Sequence, residues 1–176
     1  MLEGPRGFEE GSHMENRVVD ILEFAERGEG VPDGSSYRVR IDGKAFTIHT
    51  SDPTGESLLK EVGKRPCAFE LIEEFIDGRN DVVEPEERVD LRKKGLKGFL
   101  TAHKEIVPIS INDKPYRIER GDRTVAEILG KVGETAEGYV LLEEKSGPPM
   151  PMPPDRRLKI EGCEVFHTQP QSGGSS

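Results

Sequence analysis

Apolar and polar residues alternate through Tyr37-Arg38-Val39-Arg40-Ile41-Asp42, a period of two that predicts a strand buried on one face. Asp42-Gly43 follows, a pair suited to the positive φ angles of a tight hairpin turn, and a second strand carries Phe46 and Ile48 inward. The period then changes. Leu58, Leu59 and Val62 form a helical stripe behind Thr54 at the N-cap, and Gly63 sits where a left-handed C-cap ends a helix. A third strand is predicted over Ala68–Phe75, a short one near Val89–Leu91, and a last one around Leu96–Thr101.

The same pattern returns about 70 residues later. Ile41–Ile48 overlies Ile111–Ile118, Asn112-Asp113 takes the place of Asp42-Gly43, and Thr54 falls on Thr124. Leu58-Leu59 falls on Ile128-Leu129, Val62-Gly63 on Val132-Gly133, and Phe69 and Leu71 on Tyr139 and Leu141. In this second copy Glu127 completes a Thr-x-x-Glu capping box. Strands are predicted at Tyr139–Glu144, Leu158–Ile160 and Glu164–Thr168. Each copy is a small α+β unit, a mixed sheet with one helix across it, giving domains at 36–104 and 105–168.

Outside the repeat, Val18, Ile21, Leu22 and Ala25 lie at helical spacing, so residues 14–35 are read as an N-terminal helix and linker, either packing on the first copy or docking a partner. Gly11-Ser12-His13-Met14 has the form of a scar left by tag cleavage, so residues 1–13 are read as a tag remnant and Met14 as the native start. Residues 169–176 are polar and read as a flexible tail.

Composition narrows the functional classes. Hydrophobic residues are 33% of the 176 and charged residues 34%, so the core has to be small or divided. The net charge of −9 repels phosphate backbones and disfavours nucleic acid as a partner. No apolar run reaches the ~20 residues that cross a bilayer, so no membrane partner is expected either. Cys67 and Cys163 cannot build a disulfide scaffold and are read as reduced thiols, which with the lack of a signal sequence points to the cytoplasm.

Tyr37-Arg38-Val39-Arg40-Ile41-Asp42-Gly43, Thr54-Gly55-Glu56-Ser57-Leu58-Leu59, and Val89-Asp90-Leu91 with Gly95 and Phe99 together resemble the bacterial multiubiquitin domain family. The order of hairpin, helix and strands is similar to the ubiquitin β-grasp. The resemblance covers both copies. The second departs from it at Asn112-Asp113 and at Leu158-Lys159-Ile160. It implies a tandem ubiquitin-like modifier working with a ubiquitin-activating-like enzyme, a ubiquitin-conjugating-like enzyme and a JAB-type zinc peptidase, in bacterial operons linked to phage defence.

Within that frame the chemistry concentrates on Gly173, Gly174 and Ser175. Modifiers of this kind end in Gly-Gly because the terminal carboxylate passes through narrow active-site clefts, where glycine permits close backbone approach. Ser175-Ser176 would be the peptide removed to expose Gly174. Six residues separate Phe166 from Gly173, about 20 Å when extended. Thr101–Glu105, at the end of the first copy, has no Gly-Gly, so the tandem is the species expected to be conjugated. The target protein is not indicated.

His49, His103 and His167 are scattered without metal-ligand spacing, and no Walker A, GxSxG or HExxH pattern occurs. No catalytic role, cofactor or metal is therefore expected of the chain itself. Gly147–Pro154 could serve as a polyproline ligand, but by repeat register it reads as a stiff connection. The alternative to a modifier is a non-conjugated β-grasp binding or assembly module, acting as a bivalent adaptor.

Overall fold

A computed structural model of the chain describes residues 17–145 and 147–172. The described residues form mixed sheets with few helices, an α+β architecture. They fall into two compact units, one of residues 17–54, 73–81 and 88–100, the other of residues 55–72, 82–87 and 101–172.

In the first unit, β1 (Val18–Asp20) leads into α1 (Ile21–Arg27), and the hairpin β2 (Ser36–Ile41) and β3 (Lys44–Ile48) follows. Tyr37, Val39 and Ile41 are buried and Arg38 is exposed, as their alternation requires. Asp42 and Gly43 both have positive φ, 51° and 77°, which gives the turn a twist matching the strands. β3 takes one edge of β2 by antiparallel pairing. The other edge is shared: β1 pairs in parallel with residues 36–38, and β6 (Leu96–His103) meets Ile41 through Phe99. Gly98 allows this approach, since a Cβ there would lie 2.7 Å from the Arg40 carbonyl oxygen.

The helical spacing of Val18, Ile21, Leu22 and Ala25 thus covers two elements. Val18 is in a strand, and the helix that follows is only seven residues long. Asp20 makes the switch, its carboxylate accepting from the Leu22 backbone N–H at 3.1 Å. The same carboxylate is 9% exposed and pairs with Arg40 at 2.9 Å, so its charge is compensated where it is buried.

The remaining elements of this stretch are α2 (Gly55–Glu61), β4 (Phe69–Phe75) and β5 (Asn80–Val83). The full sheet runs β1-β2-β6-β4-β5, with β3 beside β2. Leu58 and Leu59 are buried, and Gly63 closes the helix with φ 69°. The expected strand at Val89–Leu91 is not one. It is an extended segment whose Val89 and Leu91 N–H groups donate to the Pro53 and Ser51 carbonyls, beside a single bridge between Thr54 and Arg88. Conversely β5 forms in a stretch that reads as loop, because its alternation is interrupted by Asn80-Asp81 and only Val83 is buried.

The second unit contains the hairpin β7 (Ile106–Ile111) and β8 (Lys114–Glu119), then β9 (Gly121–Thr124), α3 (Val125–Gly130), β10 (Tyr139–Glu143), β11 (Arg157–Ile160) and β12 (Val165–Pro170). Four strands are ordered β10-β12-β7-β8, and β11 pairs with β9 apart from them. Val107, Ile109, Ile111 and Ile118 from the hairpin, Val125, Ile128 and Leu129 from α3, and Leu141, Leu158, Ile160 and Phe166 form one apolar core. The capping box is present: Thr124 accepts from the Glu127 N–H at 3.2 Å, and Glu127 accepts from the Thr124 N–H at 2.6 Å.

The proline-rich segment has a structural role. The first free N–H groups of α3, at Val125 and Ala126, donate to the Arg156 and Pro154 carbonyls. In α2 those of Gly55 and Glu56 donate to the Glu87 and Pro85 carbonyls, the matching positions of the first copy.

Two expectations are corrected in the second unit. Cys67 and Cys163 are not thiols: they form a disulfide with their Cα atoms 5.4 Å apart. Gly162 permits it, since a Cβ there would stand 2.7 Å from the Cys67 carbonyl oxygen. The pairing removes the reduced-thiol argument for a reducing compartment. The start of the 169–176 stretch, read as flexible tail, is fixed: Gln169 and Pro170 belong to the sheet, pairing with Val140 and Tyr139, and the Gln171 N–H just beyond donates to the Gly138 carbonyl. Their polarity hid this because they lie at the solvated end of the strand, where backbone pairing alone fixes them.

Candidate functional site

β12 is central in its sheet, antiparallel to β10 and parallel to β7. Phe166, fully buried, roots it in the core. The ladder to β7 lasts only through Val165 and Phe166, and past it a side chain takes over. Asn112, in the hairpin turn with φ 52°, accepts from the Thr168 N–H through Oδ1 and donates to Thr168 Oγ1 through Nδ2, both at 2.8 Å. On the side of β10 pairing continues to Tyr139–Pro170. Gln171 then adds its backbone bond to Gly138, at 2.9 Å, and two carboxamide bonds to the Ala136 and Tyr139 carbonyls, at 2.7 and 3.5 Å.

The face of this sheet away from the core carries Val140, Leu142, Val165 and His167, alternating with the buried Leu141 and Phe166. His167 Nε2 stands 3.4 Å from Glu144 Oε2. His49 Nδ1 is 2.9 Å from Ser36 Oγ, and the His103 ring lies on Phe69 with centroids 4.2 Å apart. The three histidines therefore have separate neighbours. Among the described residues no group of three or more His, Cys, Asp or Glu is placed to hold a metal ion. No helix among them is long and apolar enough to cross a membrane.

Gly173, Gly174 and Ser175 lie outside the described residues. What the fold defines is where the chain stands shortly before them: Gln171 pinned to the 136–139 turn, two residues ahead of Gly173. Asn112 and Gln171 are the anchors that sequence reasoning missed. Asn112 was visible as a departure from Asp-Gly, but its partner lies 56 positions away. Gln171 carried no signal at all.

Residues 37–104, which hold the β2–β3 hairpin, α2, β4, β5 and β6, match the Multiubiquitin family model. This segment is similar to multiubiquitin domains. No curated protein and no solved structure gives a significant match. The strand order β3-β2-β6-β4-β5 in the sheet that this segment builds fits a ubiquitin-like β-grasp. The order β8-β7-β12-β10 repeats its first four members in sequence positions about 70 residues later.

Proposed function

We propose that the chain is a tandem ubiquitin-like modifier, two β-grasp units processed after Gly174 and activated at that glycine for conjugation to a target protein. The observation that carries the reading is the sequence position of Gly173-Gly174. Only Gln171 and Ser172 separate the pair from β12, the last strand of a segment that repeats the multiubiquitin pattern. The tandem arrangement is supported by the repeated strand order and by the helix-start bonds to Pro85 and Glu87 in one copy and Pro154 and Arg156 in the other.

The chemistry belongs to partners. A JAB-type zinc peptidase adds water across the Gly174–Ser175 peptide bond, leaving a free carboxylate on Gly174 and a free amine on the released segment that begins at Ser175. An activating-like enzyme joins that carboxylate to AMP from ATP with loss of pyrophosphate, and a cysteine then displaces AMP to form a thioester. A conjugating-like enzyme takes the glycine onto its own cysteine by thioester exchange, and a nucleophile of the target then displaces that thiol to form an amide or ester. On the family resemblance alone the pathway is read as bacterial and linked to phage defence, and the disulfide leaves a cytoplasmic location without its thiol argument.

The chain ending at Gly174, incubated with its activating-like enzyme and ATP, should give a thioester adduct sensitive to reducing agent. Gly174→Ala should impair transfer without moving the thermal midpoint. An active enzyme that forms no adduct overturns the reading. A chain lacking residues 173–176 that keeps its cellular activity favours the bivalent adaptor instead.

A further inference from the structure

The end of β12 is fastened rather than left free. Pro170, the last residue of the strand, has no N–H, so the next backbone donor belongs to Gln171, and it is used on the Gly138 carbonyl at 2.9 Å. The Gln171 carboxamide presents its two N–H donors to the same turn, at the Ala136 and Tyr139 carbonyls. That turn is itself fixed. The N–H groups of Gly138 and Tyr139 both donate to the Thr135 carbonyl, and Ala136 and Tyr139 pack against the apolar core. Gln171 therefore binds to a rigid acceptor.

An enzyme that takes its substrate as an extended strand needs the backbone groups on the near side of the scissile bond for its own hydrogen bonds. Gly174 is three residues beyond Gln171, a span of at most ~10 Å. With the clamp closed, the backbone N–H and carboxamide donors of Gln171 are occupied by the turn.

We propose that Gln171 is a positioning residue: it holds the tail on the fold, and an enzyme acting at Gly174 has to release the Gln171 clamp before it can take the tail as an extended strand. This rests on the modifier reading above. Glutamine suits the role because its amide offers two donors to two carbonyls. Glutamate would set a carboxylate against both.

The test uses the full chain with wild-type Gln171, Gln171→Ala and Gln171→Glu, and two measurements. The first is hydrogen exchange at the residue-171 amide, which needs no enzyme. One neutral hydrogen bond is worth about 1 kcal/mol net, so each variant should exchange roughly three to ten times faster than wild type. The second is the single-turnover rate of cleavage after Gly174 by the JAB-type peptidase, which should rise by a similar factor in both variants. A wild-type residue-171 amide exchanging as fast as an unstructured peptide overturns the clamp. Equal cleavage rates in the three chains overturn its control of access. No cleavage of any chain, with the amide protected, overturns the modifier reading itself, and the control of access falls with it.

Discussion

Asn112 and Thr168 exchange two hydrogen bonds of 2.8 Å, so a residue in the β7–β8 turn holds a residue of the last strand. The turn position requires positive φ, which Asn tolerates and Gly adopts freely. Asn112→Gly therefore removes the bonds and keeps the turn. It should cost about 0.5–1.5 kcal/mol in denaturant unfolding and raise exchange at the Thr168 amide. Asn112→Asp keeps an acceptor for the Thr168 N–H and should lie closer to wild type.

The Cys67–Cys163 disulfide closes a loop with its ends 96 positions apart. Cross-links of that span restrict the unfolded chain by about 4–5 kcal/mol in the chain-entropy account. Reduction, or the double substitution of both cysteines by serine, should lower the thermal midpoint by many degrees. Thiol labelling of the denatured, unreduced protein should find no free cysteine. Two labelled thiols per chain would show that the bond is not formed.

Gly162 has φ +105°, and a Cβ there would also meet Val107 Cβ at 3.1 Å besides the Cys67 carbonyl oxygen. Gly162→Ala is expected to destabilise by about 1–3 kcal/mol. Repeating the substitution in the cysteine-free double variant separates two costs. Most of the loss should persist, since the strained φ does not depend on the disulfide.

Much of this fold is legible from residue spacing. Tyr37, Val39 and Ile41 face inward because a strand alternates, and Ile128 and Leu129 because a helix repeats every three to four residues. The Thr124–Glu127 box is local and was equally readable. The features that escaped depend on distant partners: Cys163 on Cys67, Thr168 on Asn112, β5 on the sheet that receives it. Val18 escaped for another reason. Four apolar residues at helical spacing do not reveal that Asp20 ends a strand among them. At the candidate site, Gly173-Gly174 stood out in the sequence, whereas the anchoring of Gln171 to the turn before β10 is a matter of backbone geometry.

Hydrogen bonds from the Thr124 backbone and hydroxyl hold the Glu127 carboxyl below the ordinary glutamate range. A depressed folded pKa contributes stability that is fully present above the unfolded-state value, ~4.3, and is lost as pH falls through the folded value. Acid titration should therefore loosen the start of α3, read as faster exchange at the Glu127 and Ile128 amides. Glu127→Gln should flatten that dependence. Thr124→Ala should cost about 1 kcal/mol at neutral pH.

Truncation should discriminate sharply between neighbouring end points. Removing residues 173–176 spares the strand ladder. Removing 169–176 also deletes the pairing of Gln169 and Pro170 with β10 and the Gln171 bonds. Only the longer deletion should lower the thermal midpoint, so only the shorter one reports cleanly on the role of Gly173-Gly174.

The family pattern begins at Tyr37, inside β2, but the structural unit begins earlier. β1 lies end to end with β6 along one edge of β2, and Asp20 holds Arg40 from that segment. A fragment cut to the borders of the sequence pattern would bare the edge at Tyr37 and Arg38 and leave Arg40 without its carboxylate. Such a raw edge is a template for strand exchange between copies. For recombinant work, the smallest well-behaved version of the 37–104 segment is one that carries its own preceding strand and helix.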